Sequence, residues 1–527
     1  MISGRPLPVH TGRRLRAAVL LALCLIGALI TAGPARAQEP TPPPPIPTDQ
    51  RFGAVETYHE PELADTLGLG WTRIIFYWSE LEKDGPGTWN WFHAPLERID
   101  REIAGGREVV GLLQHTPAFS TDGPPGAGVP RGLDLPVDDP ANEWAVFVRR
   151  VMTAYQGRVT HWIIWNEPDI APTDYGTLWA GSVEEYARLL KVAYLVAHEI
   201  DPSIRIHLGG LTYWHNPAYL NQLLDAIAED PDAVQRGYYF DVVSLHVYFR
   251  PESTVEIVEA LRASLAAHGL DKPIWLNETN APPYDDPAQR WDSPDFRVTQ
   301  EMQASFILQE LAIALALDIE RTAVYKWIDE PPLEPGFEPY GLLRSDRTPR
   351  PAFNAFATAV RYYNGTEQAL RIERPELAQV ILVRDGGQTT RVLWSRVPEG
   401  LVVEVPALAG SAQIIDRSGK MTPINAQGGR YTLPLEGVPC REARDCVIEG
   451  PPVLIVEQAD ADLERWVEMG ATISAVVASP DALPPLKTAA VTAPEGAGWD
   501  LARTPAPWLL ASLVLIAALL VMRRAMT

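Results

Sequence analysis

His161-Trp162-Ile163-Ile164-Trp165-Asn166-Glu167-Pro168 is an apolar, aromatic-rich run that stops at an amide, a carboxylate and a proline. Pro273-Ile274-Trp275-Leu276-Asn277-Glu278-Thr279 repeats the design about a hundred residues later. Aromatic and β-branched residues favour extended backbone, and a run apolar on both faces suits a strand of a covered parallel sheet. Working outward, similar runs fall at 52–56, 72–77, 108–113, 160–165, 204–209, 241–246, 273–277 and 322–327. Longer amphipathic segments separate them, at 95–103, 142–155, 183–199, 217–229, 253–268 and 299–317, and 351–363 closes the series. Ser182 and Glu185 form a capping box at the head of one of these helices. This alternation predicts an α/β chain with a (β/α)8 TIM barrel over 51–365. An open doubly wound sheet is the competing fold, but no Gly-rich phosphate turn follows the first run.

Beyond residue 363 short alternating runs at 378–384, 390–394, 401–405, 412–415, 429–433 and 452–457 lie between Gly, Pro and Asp turns. They predict a small all-β sandwich over 366–457. Residues 458–505, rich in Ala, Pro and acids, read as a stalk with a short helix at 463–469. Residues 506–522 are apolar and long enough to span a membrane, with Arg523 and Arg524 behind them. Positive-inside logic then places the tail 523–527 in the cytoplasm and the preceding chain outside a cell membrane that it crosses once. At the other end, 1–37 has the basic stretch, apolar run and Ala35-Arg36-Ala37 site of a secretory signal, followed by a Pro-rich spacer at 38–50.

The chain carries 45 basic and 67 acidic residues, a net charge of −22. Such a surface repels nucleic acid and suits a neutral or weakly charged partner. Of three cysteines, Cys24 lies in the signal, leaving Cys440 and Cys446 as a pair expected to form a disulfide in an exported protein. No cluster with metal-ligand spacing accompanies them, and no metal or organic cofactor is expected.

In a barrel the polar residues ending the strands gather at one mouth. Glu167 ends the fourth run and Glu278 the seventh, so two carboxyl groups face each other across it. A pair of this kind can break a glycosidic bond: one protonates the departing oxygen while the other attacks the sugar carbon.

Trp165-Asn166-Glu167-Pro168, with Glu278 on strand 7, resembles clan A glycoside hydrolases over residues 52–363. The resemblance implies Glu167 as acid/base, Glu278 as nucleophile, and Asn166 on the sugar 2-hydroxyl. It further implies retention of configuration, with a carbohydrate substrate that is β-linked. His246 and Tyr248, two apart on the sixth run, match a site-lining His and Tyr, the Tyr touching the nucleophile. Arg73 resembles the strand 2 arginine that keeps the nucleophile ionised, and Trp327 the strand 8 tryptophan against the sugar. His115 and the following Thr116-Pro117 are closer to family 39 than to family 5. Trp78, Trp214 and Tyr284 are candidates for outer subsites. Two further readings share the barrel: a transglycosylase using the same carboxylates, and a surface carbohydrate-binding protein that no longer turns over.

Overall fold

The computed structural model describes residues 46–477, apart from 175, 290, 292–295, 334–336, 440–446, 460–462 and 471–473. The expected signal, both cysteines and the apolar C-terminal segment lie outside the described residues. Among the described residues no helix is long and apolar enough to cross a membrane.

Eight parallel strands form the first sheet: β1 (Asp49–Val55), β2 (Leu69–Tyr77), β3 (Glu108–Gln114), β4 (Val159–Asn166), β5 (Arg205–Gly210), β6 (Val243–Tyr248), β7 (Ile274–Asn280) and β8 (Arg321–Val324). Their order is β5-β4-β3-β2-β1-β8-β7-β6. The sheet closes because β5 meets β6, with Leu208 N–H donating to Val242 O at 3.0 Å and Leu211 N–H to Ser244 O at 3.0 Å. Each expected strand is present. The connecting helices begin where sequence signals place them. Ser182 caps Val183–Ile200 in a complete capping box, and the Asn142 and Thr299 side chains cap Glu143–Ala154 and Gln300–Ala316. A short helix at Pro61–Leu67, which the sequence reading lacked, fills the first strand-to-strand crossover.

Inside the barrel, Val55, Trp71, Val110, Leu112, Ile163 and Trp275 pack into one apolar plug. Trp71 fits because Gly53 on β1 lacks a side chain; a Cβ there would lie 2.6 Å from the indole. The plug closes the floor beneath the mouth. Strand alternation puts Arg73 on the same face as Trp71, one layer nearer the strand C-termini.

Among the described residues the β domain holds nine strands: β9 (Thr366–Glu373), β10 (Leu377–Arg384), β11 (Gln388–Ser395), β12 (Leu401–Pro406), β13 (Ser411–Ile415), β14 (Met421–Asn425), β15 (Arg430–Leu435), β16 (Val453–Glu457) and β17 (Ser474–Val477). They form sheets β14-β13-β16-β11-β10-β9 and β15-β12-β17. Leu377, Leu393, Leu401, Val403, Leu433 and Ile455, drawn from both, share one core. The β structure therefore runs past residue 457, where the sequence placed its end: β17 pairs with Leu401–Glu404. The intervening helix Leu463–Gly470 also belongs to it. Trp466 is 1% exposed and packs on Ile381 and Val383, with the Arg391 guanidinium 5.0 Å above its ring. Arg391 is itself buried and bound to Glu457 at 2.6 Å, as a charge in such surroundings requires.

Trp466→Ala should therefore cost about 3 kcal/mol, the scale of a large aromatic lost from a packed site. Thermal unfolding of the full chain checks this, and an unchanged melting temperature would show that the helix contributes nothing to the domain.

Candidate active site

β4 does not end as a plain strand. Trp165 and Glu167 both have left-handed backbone, at φ 71° and 46°. That conformation costs about 1–3 kcal/mol per non-glycine residue and persists only where surroundings enforce it. The Trp165 indole donates to Leu178 O at 2.7 Å and meets Trp179 edge-on at 5.2 Å, while Glu167 N–H donates to Gly210 O at 3.1 Å. Pinned at both residues, the chain delivers Glu167 to the mouth.

β7 reaches the mouth by another device. Its register with β6 runs from Leu245 opposite Leu276 to His246 opposite Glu278, so Asn277 is an extra residue, a bulge. The bulge sets Glu278 level with His246. His246 Nδ1 lies 2.7 Å from Glu167 Oε1 and 3.5 Å from Glu278 Oε2. Both neighbours are acceptors, so Nδ1 carries a hydrogen. Its ring occupies space left by Gly210, where a Cβ would lie 2.0 Å from Nε2.

Glu278 is almost fully enclosed. Arg73 Nη2 bonds its Oε1 at 2.5 Å, and the Tyr248 hydroxyl donates to Oε2. Burial by itself pushes this carboxyl up, but the Arg73 charge, His246 and the hydrogen bonds from Tyr248 and Arg73 outweigh it. The net shift is downward, and Glu278 is held ionised. The same burial, with the Glu278 charge beside it, drives the Tyr248 phenol well above its ordinary value, so it remains a donor.

One oxygen of each glutamate and a His246 ring nitrogen lie within 4.8 Å of one another. Three such atoms could in principle hold a cation. The donor set does not fit one, because both Glu278 oxygens already accept from Arg73 and Tyr248, and a metal would stand against a guanidinium. The two carboxyl groups thus approach each other at the mouth with one oxygen of each turned toward the same space.

Arg73, Glu167, His246, Tyr248 and Glu278 are thus brought together, with Asn166 next to Glu167. The Asn166 Oδ1 is buried without a partner among the described residues. His115 stands at the β3 rim beside Tyr77, 5.3 Å between rings, and its Nδ1 meets Ser79 Oγ at 2.9 Å. Its contacts go to those residues and not to either glutamate.

Trp327 is a correction. β8 ends at Val324, so Tyr325 and not Trp327 follows the strand end. Trp327 is fully buried against Phe353, its indole donating to Glu60 O at 3.3 Å. Trp78 is also buried, stacked on Phe147 at 4.7 Å, and has no face for a ligand. Of the other two outer candidates, Tyr284 is half-buried and Trp214 is exposed.

The sequence reading missed Tyr325 and Tyr340. Tyr340 packs edge-on to Tyr248 at 5.3 Å, and Tyr325 meets Tyr340 at 5.3 Å. Burial, then the charges of Glu278 and Glu56, raise the Tyr325 phenol, so it stays protonated. Asn280 ties the cluster together, its Nδ2 donating to Tyr325 O at 2.6 Å and Tyr340 O at 2.7 Å. Counting Tyr325 as the first residue beyond an eighth strand ending at Val324 would have found it.

No family model and no curated protein matches this sequence. Solved structures do. A family 39 glycoside hydrolase from the gut symbiont Bacteroides cellulosilyticus WH2 superposes with TM-score 0.58 at 17% identity, covering 77% of this chain and 81% of that one. A glucosidase from Croceicoccus marinus gives 0.53 at 13%, covering 79% and 98%. A family 39 β-xylosidase from Caulobacter crescentus gives 0.51 at 17%, covering 79% and 97%. The likeness is one of fold: the chain shares the (β/α)8 architecture of these clan A enzymes.

Arg73→Met should raise the Glu278 pKa, because burial then acts with its main opponent gone. Carbon-13 NMR titration of the Glu278 carboxyl reads this directly. An unmoved titration would mean that Arg73 does not hold the carboxylate ionised.

Proposed function

We propose that this chain is a retaining glycoside hydrolase that cleaves a β-linked oligo- or polysaccharide at the cell surface. One observation carries the reading. Glu278 is buried yet held ionised by Arg73 and Tyr248, with an oxygen of Glu167 within 4.8 Å. A buried, charged carboxylate whose donors leave it facing a second carboxyl is suited to attack carbon.

In the first step Glu278 forms a bond to the anomeric carbon as the bond to the leaving oxygen breaks, and Glu167 gives that oxygen its proton. The product is a glycosyl ester on Glu278. Its negative charge is gone, so the neighbouring Glu167 can accept a proton from water, which attacks the same carbon and releases Glu278. His246, bonded to Glu167 and near Glu278, keeps the two carboxyl groups in register through both steps. The cation that meets this pair, Arg73, is engaged by Glu278, which favours a neutral sugar. Xylosides and glucosides, the substrates named for structural neighbours, are the first to try. Export and anchoring rest on the terminal segments read from sequence, with the barrel outside.

Glu278→Gln should abolish turnover. Glu167→Gln should lower kcat/KM on unactivated oligosaccharides by about a thousandfold, and far less on aryl glycosides whose leaving group needs no proton. Proton NMR of the first-formed sugar should show retained configuration; an inverted product would rule out the two-step route.

A further inference from the structure

An isolated exposed apolar side chain needs no explanation. Trp214 differs from that case in how it is held and where. It is 56% exposed on the loop that follows β5, and its ring contact is Tyr213, edge-on at 5.2 Å, so a broad indole face is open to solvent. The loop beneath it is pinned by hydrogen bonds to a buried carboxylate. Asp169, 3% exposed, accepts through Oδ2 from Thr212 N–H at 2.8 Å, Thr212 Oγ1 at 2.9 Å and Tyr213 N–H at 2.8 Å. Tyr213 is strained into left-handed backbone at φ 64°, and Trp214 N–H closes a tight turn on Thr212 O at 2.7 Å. His215 Nδ1 lies 3.6 Å from Asp174 Oδ2, on the loop after β4.

The position carries the chemistry. Asp169 lies two residues beyond Glu167, and Gly210, whose carbonyl holds the Glu167 N–H, lies four residues before Trp214. Four residues reach at most about 14 Å. Arg73, Glu278 and Tyr325 belong to β2, β7 and the end of β8, whereas Glu167 and this loop belong to β4 and β5. A group that protonates the departing oxygen must lie on the leaving group's side, so the leaving sugar passes over the β4–β5 edge.

Resting on the glycosidase reading above, we propose that Trp214 is a stacking platform for a sugar of the leaving group, fixed in place by Asp169. The substrate is then a chain with sugar units beyond the scissile bond, not a glycoside of a small alcohol.

The test compares substrates with and without such units, using the full chain. Trp214→Ala should lower the ratio of kcat/KM on xylotetraose or cellotetraose to kcat/KM on the matching β-glycosyl fluoride by about tenfold, mostly through KM, and Trp214→Tyr should restore most of it. A ratio changed by less than about twofold overturns the proposal. Binding gives an arm independent of turnover. In Glu278→Gln protein the tetrasaccharides should quench tryptophan fluorescence, and Trp214→Ala should remove most of that quench. A quench that is absent, or indifferent to Trp214, also overturns it. Wild-type protein inert toward both fluorides, with a Trp214-dependent quench, would sink the hydrolase reading and leave the sugar platform standing.

Discussion

Glu278 is 6% exposed, and an ionised carboxylate taken that far from water is disfavoured by several kcal/mol unless donors meet it. Arg73, 1% exposed, faces the converse problem, and the two solve it jointly at 2.5 Å. Removing either would strand the other as an unpaired buried ion. Much of the barrel follows from keeping this pair in contact. Arg73 rises from the layer above Trp71, whose ring fits only because Gly53 leaves room for it. Glu278 arrives opposite His246 only because the bulged Asn277 adds one residue to β7.

The other half of the site is held by strain. Two left-handed residues, Trp165 and Glu167, sit at the end of β4, and the Trp165 indole, locked by Leu178 and Trp179, keeps that conformation from relaxing. His246 then joins the two halves, since its Nδ1 faces both carboxylates and its ring fills the gap left by Gly210. A bulge on one strand and a strained end on another are local departures from regular structure. Each re-aims one glutamate, and together they convert a barrel rim into a carboxyl pair.

The barrel was legible because buried parallel strands must be apolar on both faces, and 160–165 and 273–277 are. The strands missed were edges and additions. β9 and β14 flank their sheet and carry Glu367, Gln368, Thr422 and Asn425, so they read as loops; edge strands tolerate such residues because one side stays open. β17 lies within the stretch 458–505 that read as stalk. In the site, His246 and Tyr248 were legible from alternation along their strand, and Arg73 only through the family resemblance. Trp327 was not, because apolar residues continue past the true end of β8 at Val324 and periodicity alone cannot mark where hydrogen bonding stops. Tyr340 comes from a loop, and its approach to Tyr248 depends on Asn280 holding two backbone carbonyls, a contact with no local sequence signal.

The most direct test is to trap the ester. A 2-deoxy-2-fluoro glycoside with a good leaving group slows both steps by destabilising the oxocarbenium-like transition states, and the leaving group restores the first. Mass spectrometry of the digested protein should then find the sugar on Glu278. A protein that turns over its substrate but carries the label on another residue, or never acquires one, would contradict the role of the Arg73–Glu278 pair as the source of the attacking carboxylate.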